Sequence, residues 1–253
     1  MTDNSLMEGF RSHVRPFTVR ITGEWTQTEQ PMKSTASGIV IGDAKDPEGN
    51  RWLAVATARH VVEDLPTTEV RWRLTRHAED GEQPRVAELK THGLAELSDE
   101  WPLVRPMRPG YDAAAFCVPN LCADGRPFVE DDESLPRVLA PEIILNPGNN
   151  VAWAGYPLFV ERDLGAPQLC FYRGSIAATI TSAEVPIYLV DGHVAQGVSG
   201  GPVWYSNENG HRVVGVVSGY RPHGEPQAMA GLCHFVPLNL LLDRLVNFPV
   251  RIR

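Results

Sequence analysis

The sequence predicts an all-β fold, and three observations carry that reading. The chain holds 22 glycines and 21 prolines without a Gly-X-Y period, its apolar runs are short and bounded by turn formers, and only its C-terminal end has a sustained helical period. With 253 residues, 43% hydrophobic and 21% charged, it can bury a core, which excludes a disordered or fibrous chain.

Ser37–Gly42 and Trp52–Thr57 are β-type runs separated by the turn cluster Asp43–Asn50, which predicts a hairpin. In Val70–Thr75, Val70, Trp72 and Leu74 alternate with Arg71, Arg73 and Thr75, the signature of a half-buried strand. Further strands are expected at Ala113–Val118, Val151–Tyr156, Leu169–Tyr172, Ile187–Val190, Pro202–Trp204, Val213–Ser218 and Leu232–Val236. Pro119–Pro141, with the acidic run Glu130–Glu133, has no apolar period and reads as a linker between two halves. The expected organisation is a β-rich unit over 14–122, a linker over 123–142, a second β-rich unit over 143–236 and a helix over 237–248. In that helix Pro237 takes the first position and Leu238, Leu241, Leu242, Leu245 and Val246 share one face.

The balance of 31 acidic against 23 basic side chains, a net charge of -8, lacks the electrostatic footprint of a nucleic-acid or membrane-surface protein, so protein or peptide is the expected partner. Asp3, Glu8, Arg11 and Arg15 interrupt the opening segment where a secretory signal needs an apolar stretch, which predicts a cytoplasmic location. The four cysteines, Cys117, Cys122, Cys170 and Cys233, show no C-x-x-C spacing and read as reduced thiols, a Cys117–Cys122 bridge being the alternative. No metal-ligand spacing such as H-E-x-x-H occurs, and no cofactor is expected.

The chemistry concentrates in three places. Gly197-Val-Ser-Gly-Gly-Pro202 lies between two apolar runs, and its glycines allow a tight turn that presents the Ser199 hydroxyl with main-chain N–H groups aimed at a developing oxyanion. His60, in Thr57-Ala-Arg-His60, follows directly on a strand, where a general base is held rigidly. Asp112 heads an otherwise apolar run, where a buried carboxylate needs a partner such as an imidazole N–H; Asp99, in a more polar stretch, is the alternative. The chain order is His60, Asp112, Ser199.

On these residues, together with Ser37-Gly-Ile-Val-Ile, Ala154-Gly-Tyr-Pro157, Asp191, Val213-Val-Gly-Val-Val-Ser-Gly219 and Phe235-Val-Pro, the chain resembles the trypsin-like (chymotrypsin-fold) serine peptidases. Within them it is similar to the bacterial branch that includes the catalytic domain of HtrA-type proteases. The resemblance implies two packed six-stranded β-barrels followed by the C-terminal helix, with the site between the barrels. It implies that Ser199 is the nucleophile, His60 the base and Asp112 its orienting partner, and that the amides of Gly197 and Ser199 form an oxyanion hole. It further implies that Ser218 bonds the aspartate, that the backbone of Ser218 and Tyr220 lies along the substrate, and that His193, Val194, Gln196, Val217 and Leu232 surround the primary specificity pocket.

Two departures from the pattern bear on control. Val198 stands where many digestive relatives have an aspartate that pairs with a newly cut N-terminus, so activation by that ion pair is not expected. Control is left to a partner protein or to assembly. Val61 stands where secreted relatives have a cysteine, in keeping with a reducing compartment. The expected function is a serine endopeptidase acting through an acyl-enzyme; the alternative is a catalytically silent fold that binds peptide or protein.

Overall fold

A computed structural model of the chain describes residues 3–27, 29–46, 48–63, 69–77, 83–92, 103–104, 111–138, 145–182, 185–208, 210–219 and 232–246. The first half is built on strands β1 (Thr18–Gln27), β2 (Gln30–Lys45), β3 (Arg51–Thr57), β4 (Glu69–Arg76), β5 (Arg85–His92), β6 (Leu103–Val104) and β7 (Ala114–Pro119). They form one seven-stranded sheet in the order β5-β4-β1-β2-β3-β7-β6. The hairpin of β2 and β3 is present, and β4 alternates buried and exposed residues as its sequence requires. The first unit was expected as a six-stranded barrel; its described residues give seven strands and an open sheet.

The second half is the closed six-stranded barrel that was expected. Its strands are β8 (Asn150–Gly155), β9 (Cys170–Ser182), β10 (Val185–Asp191), β11 (Pro202–Asn207), β12 (Gly210–Val217) and β13 (Leu232–Pro237), in the order β10-β13-β12-β11-β8-β9. Closure leaves no exposed strand edge and buries Val151, Trp153, Val190, Val203, Val217 and Phe235 inside.

The helices depart from the sequence expectation. Chain-terminal helix α4 (Asn239–Val246) buries Leu241 and Leu245 but begins two residues after Pro237, which instead ends β13 and uses its carbonyl to accept the Tyr111 hydroxyl. Three helices were not anticipated: α1 (Asp3–Gly9), α2 (His60–Glu63) and α3 (Leu158–Leu164). Helix α1 continues into a π-helical turn at Phe10–Val14. Along this segment Leu6, Phe10 and Val14 recur every four residues, so they share one face, and all three are buried. The Phe10 ring stacks on Trp204 of β11 at 5.7 Å and meets Phe171 of β9 at 5.2 Å. The Trp204 indole donates to the Leu6 carbonyl at 3.2 Å, so the N-terminal segment is fastened to the second barrel. Helix α3 ends on Gly165, whose φ of 73° closes a left-handed cap with its N–H on the Glu161 carbonyl.

The stretch read as a linker is a packed crossing. Phe128 and Val129 are fully buried, Arg76 donates to the Phe128 carbonyl at 2.9 Å and to Glu133, and Val138 bridges Val213 of β12. The Pro- and Asp-rich composition hid two apolar residues that join the buried core. All four cysteines are free thiols, and burial pushes those of Cys117 and Cys233 up to about 12. Among the described residues no helix is long and apolar enough to cross a membrane.

Candidate active site

His60 opens α2 at the end of β3, and Asp112 lies two residues before β7, the strand that pairs with β3 from Trp52↔Pro119 to Thr57↔Ala114. Adjacent antiparallel strands therefore bring the two residues together across 52 positions of sequence. The imidazole Nδ1 lies 2.7 Å from Asp112 Oδ2, and the His60 main-chain N–H donates to Asp112 Oδ1 at 2.8 Å. Beside a carboxylate Nδ1 is the donor, which leaves Nε2 as the nitrogen that can accept a proton. The Ser218 hydroxyl, at the end of β12, donates to the same Oδ2. Burial works against ionisation of Asp112. The His60 hydrogen bonds and the Ser218 hydroxyl outweigh it and hold the carboxyl below its ordinary value.

Ser199 sits on the turn that leads into β11. A methyl group on Gly219, at a φ of +89°, would lie 3.0 Å from Ser199 Oγ and 3.9 Å from His60 Cε1, so hydroxyl and imidazole border the same few ångströms of space. The turn is drawn tight against the first half of the chain. Any side chain at Gly200 would strike Thr57 Oγ1 and the Ser37 carbonyl, and one at Gly197 the Tyr156 carbonyl, at a φ of +94°.

The peptide groups of this turn follow a pattern. The Gln196 carbonyl accepts Leu158 N–H at 2.8 Å, and the Val198 carbonyl accepts Gly201 N–H at 2.9 Å. A trans peptide points its N–H opposite to its carbonyl, so both bonds turn the N–H groups of Gly197 and Ser199 away from the protein side. Val198, Gly200 and Gly201 donate to Ala195, Val217 and Val198, whereas the amides of Gly197 and Ser199 have no acceptor among the described residues. Two unbonded donors on either side of a serine hydroxyl can stabilise a negative oxygen.

Around the turn, His193 and Gln196 are exposed. Val194 packs against the second barrel's core, Val217 is buried and Leu232 is half-buried opposite Asp191. Tyr220 and Asp99 lie outside the described residues. Gly192 precedes His193 and has the Trp153 ring against it, leaving no room there for a side chain. Ser37, Thr57 Oγ1, Leu158 and Gly219 also shape the site and were not singled out from sequence. Ser37, Thr57 and Gly219 stood inside the motifs Ser37-Gly-Ile-Val-Ile, Thr57-Ala-Arg-His60 and Ser218-Gly219 without being given a role, and Leu158 carried no signal.

A half-barrel sheet carrying an imidazole–carboxylate pair, beside a closed six-stranded barrel carrying a glycine-flanked serine, defines a chymotrypsin-like double-barrel protein. A family model described as a trypsin-like peptidase domain matches residues 36–216, and the chain belongs to that family of trypsin-like peptidases. No curated protein matches it.

Proposed function

We propose that the protein is an active serine endopeptidase of the bacterial, HtrA-like branch. The observation that carries this reading is the convergence of the His60–Asp112 pair, the Ser199 hydroxyl and the unbonded amides of Gly197 and Ser199 on one cleft. An imidazole held by a carboxylate, beside two amides with no acceptor among the described residues, supports turnover over mere binding.

In the proposed reaction Ser199 Oγ attacks the scissile carbonyl carbon while His60 Nε2 takes its proton. Asp112 holds the imidazole with Nδ1–H inward and stabilises the imidazolium. The carbonyl oxygen, now negative, accepts hydrogen bonds from Gly197 and Ser199. Collapse of the tetrahedral intermediate breaks the C–N bond, with the proton passing from His60 to the leaving amine. Water, deprotonated by His60, then hydrolyses the ester in the same sequence. The substrate backbone would lie along the chain at Ser218 and Tyr220, past the end of β12, as an added strand. His193, Val194, Gln196, Val217 and Leu232 surround its primary side chain.

Val198 is fully buried and carries no charge, which supports activity without N-terminal cleavage and leaves regulation to a partner protein or to assembly. The free thiols suit a reducing cytoplasm. Labelling with a fluorophosphonate and cleavage of a peptide library, with Ser199→Ala as control, test the proposal. Labelling and turnover that both vanish in Ser199→Ala support it, and a parent that neither labels nor cleaves overturns it in favour of a binding module.

A further inference from the structure

Ser37 is fully buried where the two halves of the molecule meet, and all four of its hydrogen-bonding groups are engaged. Its main-chain N–H donates to the Ser199 carbonyl at 2.8 Å, and its carbonyl accepts the Thr57 hydroxyl at 2.7 Å. Its own hydroxyl donates to the Gly197 carbonyl at 2.8 Å and accepts Tyr156 N–H at 2.9 Å. One residue of the first sheet thus holds the carbonyls of both residues whose amides flank the nucleophile. Opposite Ser37 in the β1–β2 register is Arg20, which reaches the second half as well, pairing with Glu161 of α3 at 2.5 Å. That helix begins with Leu158, whose N–H fixes the Gln196 carbonyl.

Resting on the peptidase reading, we infer that Ser37 is a positioning residue: its hydroxyl, with the Arg20–Glu161 pair beside it, sets the direction of the Gly197 and Ser199 amides. The reason is geometric. Gly197 has φ +94°, and glycine rotates about its main-chain bonds more freely than any other residue. Its N–H direction is defined only if the peptides on both sides are held. Leu158 holds the one before and Ser37 Oγ the one after. Without the hydroxyl, the Gly197 carbonyl and Tyr156 N–H are buried without partners. The turn then relieves the loss by rotating the peptide toward other donors, which swings the oxyanion amide out of line. No pattern of residue types marks this role, because a serine beside a glycine in a strand is ordinary sequence.

The test compares Ser37→Ala with the parent in steady-state cleavage of a peptide substrate and in binding of a peptide boronate, which forms a tetrahedral adduct, against the corresponding product peptide. Removing an oxyanion donor outright costs about 10²–10³ in kcat, so a misdirected one costs roughly 10–100-fold, with KM changed less than threefold. Boronate affinity falls by a similar factor while product affinity holds. Ser206→Ala removes an equally buried hydroxyl from β11 that bonds His211, and it keeps kcat within twofold, separating positioning from general loosening of the fold. If Ser37→Ala does not fold, Ser37→Cys, which retains a weak donor, takes its place with a smaller loss in the same direction. A folded Ser37 variant with parental kcat and parental boronate affinity overturns the inference while leaving the peptidase reading intact. A parent inert toward substrate, fluorophosphonate and boronate overturns both.

Discussion

Asp112 grips His60 twice, accepting the main-chain N–H on Oδ1 at 2.8 Å and the ring Nδ1–H on Oδ2 at 2.7 Å. The two bonds fix the carboxylate plane and the ring plane together, so the imidazole cannot turn without breaking the pair. Asp112→Asn preserves the shape but presents an amide that can donate to the ring, favouring the wrong tautomer. The expected loss is about 10⁴ in kcat without unfolding. Asp99→Asn, by contrast, leaves turnover near the parental level. Steady-state kinetics on both variants make the comparison, and a collapse in Asp99→Asn alone would reverse the assignment.

The same carboxyl makes stability depend on pH. Its native pKa is depressed below the ordinary value of 3.8. Its contribution is therefore fully present above that value and is lost as pH falls through the native one. Thermal melts from pH 6 down to pH 2 should show a drop in Tm in the acid range that is shallower in Asp112→Asn. Parallel curves for the two proteins would mean that folding does not shift the Asp112 pKa, and a steeper fall in Asp112→Asn would mean that it is raised instead.

Tyr111 ties the site to the C-terminal helix. Its hydroxyl donates to the Pro237 carbonyl at 2.8 Å and accepts Leu241 N–H at 3.0 Å, and burial raises its pKa far above the ordinary tyrosine value, so it stays neutral. Tyr111→Phe leaves both main-chain groups without that partner and should cost about 1–3 kcal/mol in urea unfolding. Because the hydroxyl bonds Pro237 and Leu241 and not the residues that hold Asp112, kcat should change less than fivefold. A stability equal to the parent's would refute the cap.

How much of this was legible depended on whether a residue's role lies in its own neighbourhood. Strand β4 could be read because Val70, Trp72 and Leu74 alternate and face one core. Strand β1 went unread because Gly23 interrupts its apolar alternation of Val19, Ile21 and Trp25. The missing side chain is supplied by the Trp72 ring from the neighbouring strand, a fact of the sheet. Pro237 misled because proline suits both a first helical position and a strand end. His60, Asp112 and Ser199 stood out as polar residues in apolar or glycine-rich settings. Ser37 and Leu158 act through hydrogen bonds to residues 160 and 38 positions away, and their residue types announce nothing.

The N-terminal segment offers a test of control. If activity required cleavage there, removing residues 1–14 would release it. The structure instead buries Leu6, Phe10 and Val14, with Phe10 seated on β9 and on β11, the strand that leads away from Ser199. Phe10→Ala should cost roughly 3–5 kcal/mol through the lost ring and the cavity left beside Trp204. Truncation should lower both stability and activity. A truncated protein more active than the full chain would point to an autoinhibitory segment and overturn this expectation.

The last prediction concerns specificity. His193 follows Gly192, against which the Trp153 ring packs, and its side chain is exposed, while Val194 packs toward the barrel core. An exposed imidazole is screened by water and can offer a substrate side chain little that solvent does not. The half-buried Leu232, with Val217 buried in the barrel core, makes the surroundings apolar instead. Such walls discriminate by size, each methylene being worth about 1–3 kcal/mol, and reject charge by leaving it unpaired. A diverse peptide library should therefore show a medium aliphatic residue before the cleaved bond, in proportions unchanged between pH 5.5 and 7.5 and within threefold in His193→Ala. Placing a small residue at the wall, Val217→Ala, should shift the preference toward larger side chains. An acidic preference that fades with rising pH and disappears in His193→Ala would instead make the imidazole the selector.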